Sequence, residues 1–546
     1  MSFCSSCGSA VSANAKFCSS CGKPTIARDH SGSQVSNRNA TAVVGSSGVS
    51  TPGNIASAIA QTIFIAPISF LNHLDKILSS KGVTPLAILS GSEPHEIRAK
   101  IKNKLSQAGS ASLKYICLIG DWDDVPPFRV ETPEEVDDGD EFCITDALYG
   151  CTEDYDELDI FSAIPSYPVG RIPSLDPAVI SRVLFDEANS LDANKAFLFA
   201  ISAQCWNTAT ETIVNQFLND SDDSRVRLDP ESHDIPRKAV LSCPDWLEED
   251  LRAATQQKIT DKNSVILFNV HGGLDEPVWV GQDGGNYPKI FDPHTIADFN
   301  SSLIVCEACY GGALGYSSKS IVESFFEKGG HTFVGSSTIA YGSPNENIAA
   351  ADFIALHFLQ SVAGGATMGE ALNFAKKEVA GIDPLYGFIG KKTVLSFNLF
   401  GAPWHRRPRA STISAYTNTS SSPGSILDQI RSRSAGLNID RNNTIENIRN
   451  RYRSNLSDKH KQFFLEKDEA RARLSRFKDA DKIEELVVDW SGDFDDFLLQ
   501  YLASDSEEGY ALFSDAQGHG SSKKKMILLI DAAGNLKKTL TSKGML

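Results

Sequence analysis

Cys309 and His271 are the two residues of this chain whose types and settings together point to covalent chemistry. The apolar run Leu303-Ile-Val-Cys306 reads as a short buried strand that runs out through Glu307 and Ala308 into a turn carrying Cys309, with Gly311 and Gly312 close behind. A strand ending in a glycine turn presents one side chain at the carboxyl edge of an α/β sheet, where such sheets bind ligands. Upstream, Ser264-Val-Ile-Leu-Phe-Asn-Val270 is a second apolar run, and it empties into His271-Gly272-Gly273. An imidazole at one strand end can take or hold the proton of a thiol at another while the thiolate attacks a carbonyl carbon. Cys306 sits inside its apolar run and reads as core.

A second constellation is Cys4, Cys7, Cys18 and Cys21, two Cys-x2-Cys pairs with Gly8 and Gly22 just after them. Each pair places two thiolates on one edge of a metal, glycine relieves the knuckle backbone, and two knuckles complete a tetrahedral S4 site suited to Zn2+. A segment this short needs the metal in order to fold. A closed S4 site has no open position for substrate, so this Zn2+ is structural, and no cofactor is expected for catalysis.

The elements that must position these residues follow from the apolar periodicity. Residues 55–195 alternate strands and helices: Thr62 to Ala66, a helix near 69–81, Leu86 to Leu89, a helix near 94–108, and Tyr115 to Ile119. A second series over 196–405 holds Phe197 to Ile201, a helix near 208–218, Ala239 to Leu241, a helix near 246–256, the His and Cys strands, Thr332 to Val334 and Val394 to Asn398. Such alternation argues for parallel strands with crossover helices. Around these units, 1–25 reads as the zinc ribbon, and 26–54 and 406–425 as linkers rich in small polar residues. Residues 426–546 read as mostly helical, closing with a hairpin of Met526 to Asp531 and Leu536 to Leu540.

Composition excludes some classes. Fifty-two Lys and Arg against 69 Asp and Glu give a net charge of −17, which repels nucleic acid and anionic membranes, and no basic stripe offsets it. No apolar run is long enough to span a bilayer and no secretory leader is visible, so a cytoplasmic location is expected. Eleven cysteines in such a chain favour metal ligation, catalysis or burial over disulfides.

The string Glu307-Ala-Cys309-Tyr-Gly311, with His271 upstream, resembles the caspase signature. Together with Tyr115 to Asp121, Val125-Pro126, Thr145 to Tyr149, Pro168 to Pro173 and Asn398 to Pro403, it resembles the caspase-like (clan CD) cysteine peptidases, most of all the gingipain family, over roughly residues 55–405. The resemblance implies two side-by-side Rossmann-like subdomains with the dyad in the second. It implies an oxyanion hole from the amides of Gly272 and Cys309, and a P1 wall within Gly335 to Tyr341, with Ser336, Ser337 and Tyr341 as wall residues. It implies an acid orienting His271, for which Asp146, Glu153 and Asp154 are the candidates. Two departures stand out. Ala402 occupies a place where the family often has Asp, and the acid that selects arginine in gingipains has no counterpart before Gly170-Arg171. The gingipains are also secreted, unlike the location expected here. The N-terminal segment resembles the short zinc ribbons of many prokaryotic proteins, which mostly dock partners.

The expectation is therefore an intracellular cysteine endopeptidase acting on protein substrates, regulated or targeted by a partner bound at its zinc ribbon or C-terminal region. A role in prokaryotic defence is suggested by fold analogy alone. The alternatives are a catalytically silent caspase-like scaffold that binds partners through those appendages, and a different acyl transfer at the same thiol.

Overall fold

The computed structural model describes residues 2–3, 10–11, 52–78, 83, 85–107, 112–131, 142–156, 159–185, 197–217, 238–243, 264–274, 276–294, 303–316, 318–343, 348–381, 388–406, 461–466, 496–503, 508–515, 525–531 and 536–542. The chain divides into two units, Met1–Gly48 and Val49–Leu546. In the first, β1 (Ser2–Phe3) and β2 (Ala10–Val11) form an antiparallel pair, with Phe3 opposite Ala10. Cys4, Cys7, Cys18 and Cys21 lie outside the described residues, as do most of the two linker segments and the helix expected near 246–256.

The second unit is built on one ten-stranded sheet. Its first series is β3 (Thr62–Pro67), β4 (Leu86–Ile88), β5 (Tyr115–Ile119) and, after the antiparallel pair β6 (Phe128–Glu131) and β7 (Phe142–Thr145), β8 (Val169–Ile172). Its second series is β9 (Phe197–Ser202), β10 (Lys238–Ser242) and β11 (Ser264–Asn269). A small meander of β12 (His271–Gly272), β13 (Trp279–Val280) and β14 (Lys289–Phe291) interrupts it before β15 (Leu303–Cys306) and β16 (Thr332–Ser336). The two-residue β17 (Tyr341–Gly342) and then β18 (Phe397–Gly401) follow.

The spatial order is β10-β9-β11-β15-β16-β18-β8-β5-β3-β4, so the two expected halves are joined into a continuous sheet through β18 and β8. All its ladders are parallel except β16 with β18. Helices such as Pro94–Gln107, Pro177–Phe185, Asn207–Phe217 and Ala351–Ala363 separate the strands. Strands β3, β5, β11 and β15 are buried at every position, which is why they read as continuous apolar runs rather than as alternations. Local signals also hold: Ser320-Ile-Val-Glu323 forms a capping box at the start of helix Ile321–Glu327, where Ser320 Oγ accepts the Glu323 N–H and the Glu323 carboxylate accepts the Ser320 N–H.

Two expectations need correction. Residues 394–396 belong to the helix Phe388–Ser396, and the closing strand starts only at Phe397. Within 426–504, expected to be mostly helical, the described residues are strands: β19 (Lys461–Glu466) and β20 (Asp496–Ala503). With β21 (Glu508–Asp515), β22 (Lys525–Asp531) and β23 (Leu536–Ser542) they form an antiparallel sheet, and the expected terminal hairpin is its β22–β23 pair. Aromatic-rich runs such as Gln462-Phe-Phe-Leu465 and Phe497-Leu-Leu-Gln-Tyr501 fit a pleated surface, and ladder partners decide such short apolar segments. The sheet continues onto β17, giving the order β17-β23-β22-β21-β20-β19.

Candidate active site

Strands β11 and β15 are parallel neighbours, with Phe268 opposite Cys306. Three residues past each of these positions stand His271 and Cys309, so the two sequence-predicted residues leave the same edge of the sheet side by side. The turn after β15 is forced by backbone geometry. Tyr310 has φ of 53°, in the left-handed region a non-glycine residue rarely adopts, and its N–H is held by Thr338 O at 2.9 Å. Gly312 is needed because a Cβ there would lie 2.5 Å from Gly335 O, and its N–H donates to Ser336 O at 2.7 Å.

The closest measure of how the His and Cys segments meet is Gly272. A Cβ at that position would lie 2.2 Å from the Cys309 carbonyl oxygen and 3.2 Å from the Ala308 Cβ, so the main chain after His271 packs directly on the Cys309 peptide. Tyr316 ties the segments further: its hydroxyl lies 3.1 Å from Gly273 O and 3.3 Å from Tyr310 O. Between them is a shallow recess lined by Gly273, Pro277, Val278, Cys309, Tyr310 and Tyr316, among others.

His271 is buried and belongs to the β12–β13–β14 meander, opposite Val280. Its ring packs on Trp206, 4.5 Å between centroids, and meets Tyr287 edge-on at 5.3 Å. Nε2 lies 3.5 Å from Gln282 Oε1. Burial, with Cys205 nearby, pushes the Tyr287 hydroxyl up to about 12, which keeps it protonated near neutral pH. Cys309 is fully buried, and its thiol faces the main chain of Ala340: Sγ accepts the Ala340 N–H at 3.3 Å and lies 3.5 Å from Ala340 O. Cys306 is core, as its position in the run implied.

The three expected wall residues differ in what they contact. Tyr341 is buried in one cluster with Cys309, Tyr310 and Ile339. Ser336 turns its hydroxyl to Thr338 O at 3.0 Å, and Ser337 donates to Ile144 O at 2.6 Å, so both hydroxyls tie down the loop. Ala340 lies inside the expected wall segment without having been singled out, and the rings of Trp206, Tyr287 and Tyr316 were missed in the sequence, because contact across loops far apart in the chain leaves no local signal.

Two of the three acids considered as orienters of His271, Asp146 and Asp154, are paired with cations. Asp146 is buried in a two-point ion pair with Arg171, Oδ2 at 2.7 Å from Nε and Oδ1 at 2.6 Å from Nη2. Arg171 also donates to Gly120 O at 3.0 Å and Asp121 O at 2.6 Å, while the Asp146 N–H donates to Asn398 Oδ1 at 2.9 Å. Four of the motifs singled out in the sequence thus meet in one buried polar knot. Asp154 is exposed and pairs with Arg98 and Lys102, and the Glu153 carbonyl accepts from Arg98.

A zinc-ribbon domain family model matches residues 3–25. The β1–β2 pair brackets Cys4 and Cys7, and the four-thiolate donor set fits Zn2+. The structure is similar to that of the Arg-specific cysteine proteinase gingipain R (12% identity, 64% of this chain and 78% of that chain, TM-score 0.43). It is also similar to the complex of Porphyromonas gingivalis RgpB pro- and mature domains (14% identity, 64% of this chain and 80% of that chain, TM-score 0.44). No curated protein sequence matches the chain significantly. No helix among the described residues is long and apolar enough to cross a membrane.

Proposed function

We propose that the chain is a cysteine endopeptidase of protein substrates, working inside the cell through Cys309 and His271. The observation that carries this reading is the contact of the Gly272 backbone with the Cys309 peptide, which brings an imidazole-bearing and a thiol-bearing strand end together at one sheet edge. In the reaction, His271 takes the Cys309 proton and the thiolate attacks the scissile carbonyl carbon. The resulting oxyanion is held by the Gly272 and Cys309 amides, each such donor contributing about 3 kcal/mol. The C–N bond breaks as His271 protonates the leaving amine. Water, giving its proton to His271, then attacks the thioester, and the acid product leaves with the thiol restored. The lining of Tyr341, Ile339 and the Ala340 main chain supports an apolar contribution to side-chain selection at P1. The four N-terminal cysteines would hold Zn2+ structurally, in a ribbon that docks a regulatory partner.

The burial of Cys309 and its hydrogen bond from Ala340 favour a second reading, a silent scaffold with a closed site. An acyloxymethyl ketone probe separates the two. Labelling of the wild type and none of Cys309→Ala is expected, together with new protein N-termini in a proteome treated with wild type only. An unlabelled wild type of intact fold would leave the scaffold standing.

A further inference from the structure

Immediately after the loop that holds the Cys309 sulfur, β17 carries a neighbour from the far end of the sequence. Tyr341 stands opposite Ser542 and Gly342 opposite Thr541, in an antiparallel ladder. Thr541 and Ser542 are polar residues, yet each is only 5% exposed, so this end of β23 is seated rather than grazing the surface. The direction of the pairing matters. Because β17 and β23 are antiparallel, β23 advances toward Ala340 as its numbering rises, and Ala340 donates its N–H to the Cys309 sulfur at 3.3 Å. Tyr341 shares one buried cluster with Cys309, which is itself 0% exposed.

An extended segment that adds to a short open strand by main-chain hydrogen bonds is the general way a sheet edge receives a peptide. We propose that Tyr341–Gly342 is a strand-addition site for an extended peptide beside Cys309, and that this chain's own strand Leu536–Ser542 is its resident occupant. A protein substrate reaches the thiol only when that strand leaves. Strand β22, paired with β23 along its length, makes the antiparallel sheet of 461–542 the device that presents or withdraws the occupant. The inference rests on Cys309 being the working thiol of the preceding section.

The test uses the full chain carrying Thr541→Pro together with Ser542→Pro. Adjacent residues of a strand point their N–H groups to opposite edges, so one of the two prolines removes the donor that faces β17 whichever it is. The rate of alkylation at Cys309 by iodoacetamide, read at that residue by mass spectrometry, should rise about tenfold once a ladder donor is lost. A synthetic peptide of residues 536–546 should slow it again in a dose-dependent way. Equal rates in wild type and variant would overturn the proposal, and so would a rise the peptide cannot reverse, which is the signature of general loosening. Alkylation of a thiol needs no catalysis, so a catalytically silent Cys309 fails the ketone probe while leaving this outcome intact.

Discussion

The two halves of the ten-stranded sheet end their strands in opposite ways. In the first half, the edge after β5 and β8 is sealed by the Arg171–Asp146 pair, in which both carboxylate oxygens and three guanidinium nitrogens have partners at 2.6 to 3.0 Å. In the second half, the edge after β11 and β15 carries His271 and Cys309, with the Gln282 side-chain amide 3.5 Å from the imidazole and the Ala340 main chain 3.3 to 3.5 Å from the sulfur. Burial alone works against the Arg171 charge, and the Asp146 carboxylate beside it outweighs that and raises its affinity for the proton. Because β18 runs antiparallel to β16 and parallel to β8, these strand ends lie at opposite edges of one sheet, one locked by charge and the other carrying the candidate pair. A reactive pair needs partners that can be given up during a reaction, whereas a structural pair needs partners that cannot.

Breaking the locked half should have the largest effect. Arg171→Met leaves Asp146 buried without its cation and should cost about 3–5 kcal/mol of stability in denaturant unfolding, the usual result of removing one member of a buried pair. A loss near 1 kcal/mol, as for exposed pairs, would mean that the knot is not what fixes the first half.

The half carrying the candidate pair is tested by Gly272→Ala. The new Cβ meets main chain, not a flexible side chain, so the His and Cys segments must separate. A displacement of this kind should slow ketone-probe labelling of Cys309 about 100-fold with the circular dichroism spectrum unchanged. An unaltered rate would show that the closeness of the two strand ends is not used.

A third test belongs to the β16–β18 seam, where a Cβ on Gly401 at the end of β18 would lie 2.4 Å from the His331 carbonyl. Burial, with Arg182 adding to it, holds the His331 imidazole down from 6.5 to about 3. Between those values the unfolded chain takes up a proton that the folded chain refuses, so this group's contribution is complete above 6.5 and is lost as the pH falls toward 3. His331→Leu should flatten the acid limb of the stability profile by at most about 1.4 kcal/mol per pH unit within that window. An unchanged slope would place the acid sensitivity of the seam elsewhere.

Much of the sheet was legible from the chain itself. Thr62 to Ala66, Tyr115 to Ile119, Ser264 to Val270 and Leu303 to Cys306 are continuous apolar runs of strand length because helices cover both faces, and a run of that kind needs no partner to be recognised. The second sheet was not legible. Its runs near 461–466 and 496–503 are short and apolar enough for either helix or strand, and only the ladder to neighbouring strands decides between them. The choice among acids stayed open for a related reason. Asp146, Glu153 and Asp154 look equivalent in a sequence, and nothing local tells that Arg171 claims the first of them.

The sequence by itself determined the pair: a His-Gly-Gly and an Ala-Cys-Tyr-Gly string, each behind a buried strand, and four cysteines spaced for one metal. Those are properties of neighbours along the chain, set by backbone conformation and by ligand reach. The tertiary structure alone decided that Gly272 rests on the Cys309 peptide, that Ala340 holds the sulfur, and that the strand ending at Ser542 lies against Tyr341. Each joins residues tens to hundreds of positions apart. Such contacts are chosen by packing and by hydrogen bonds that need partners from both segments at once, and no single stretch of sequence contains them.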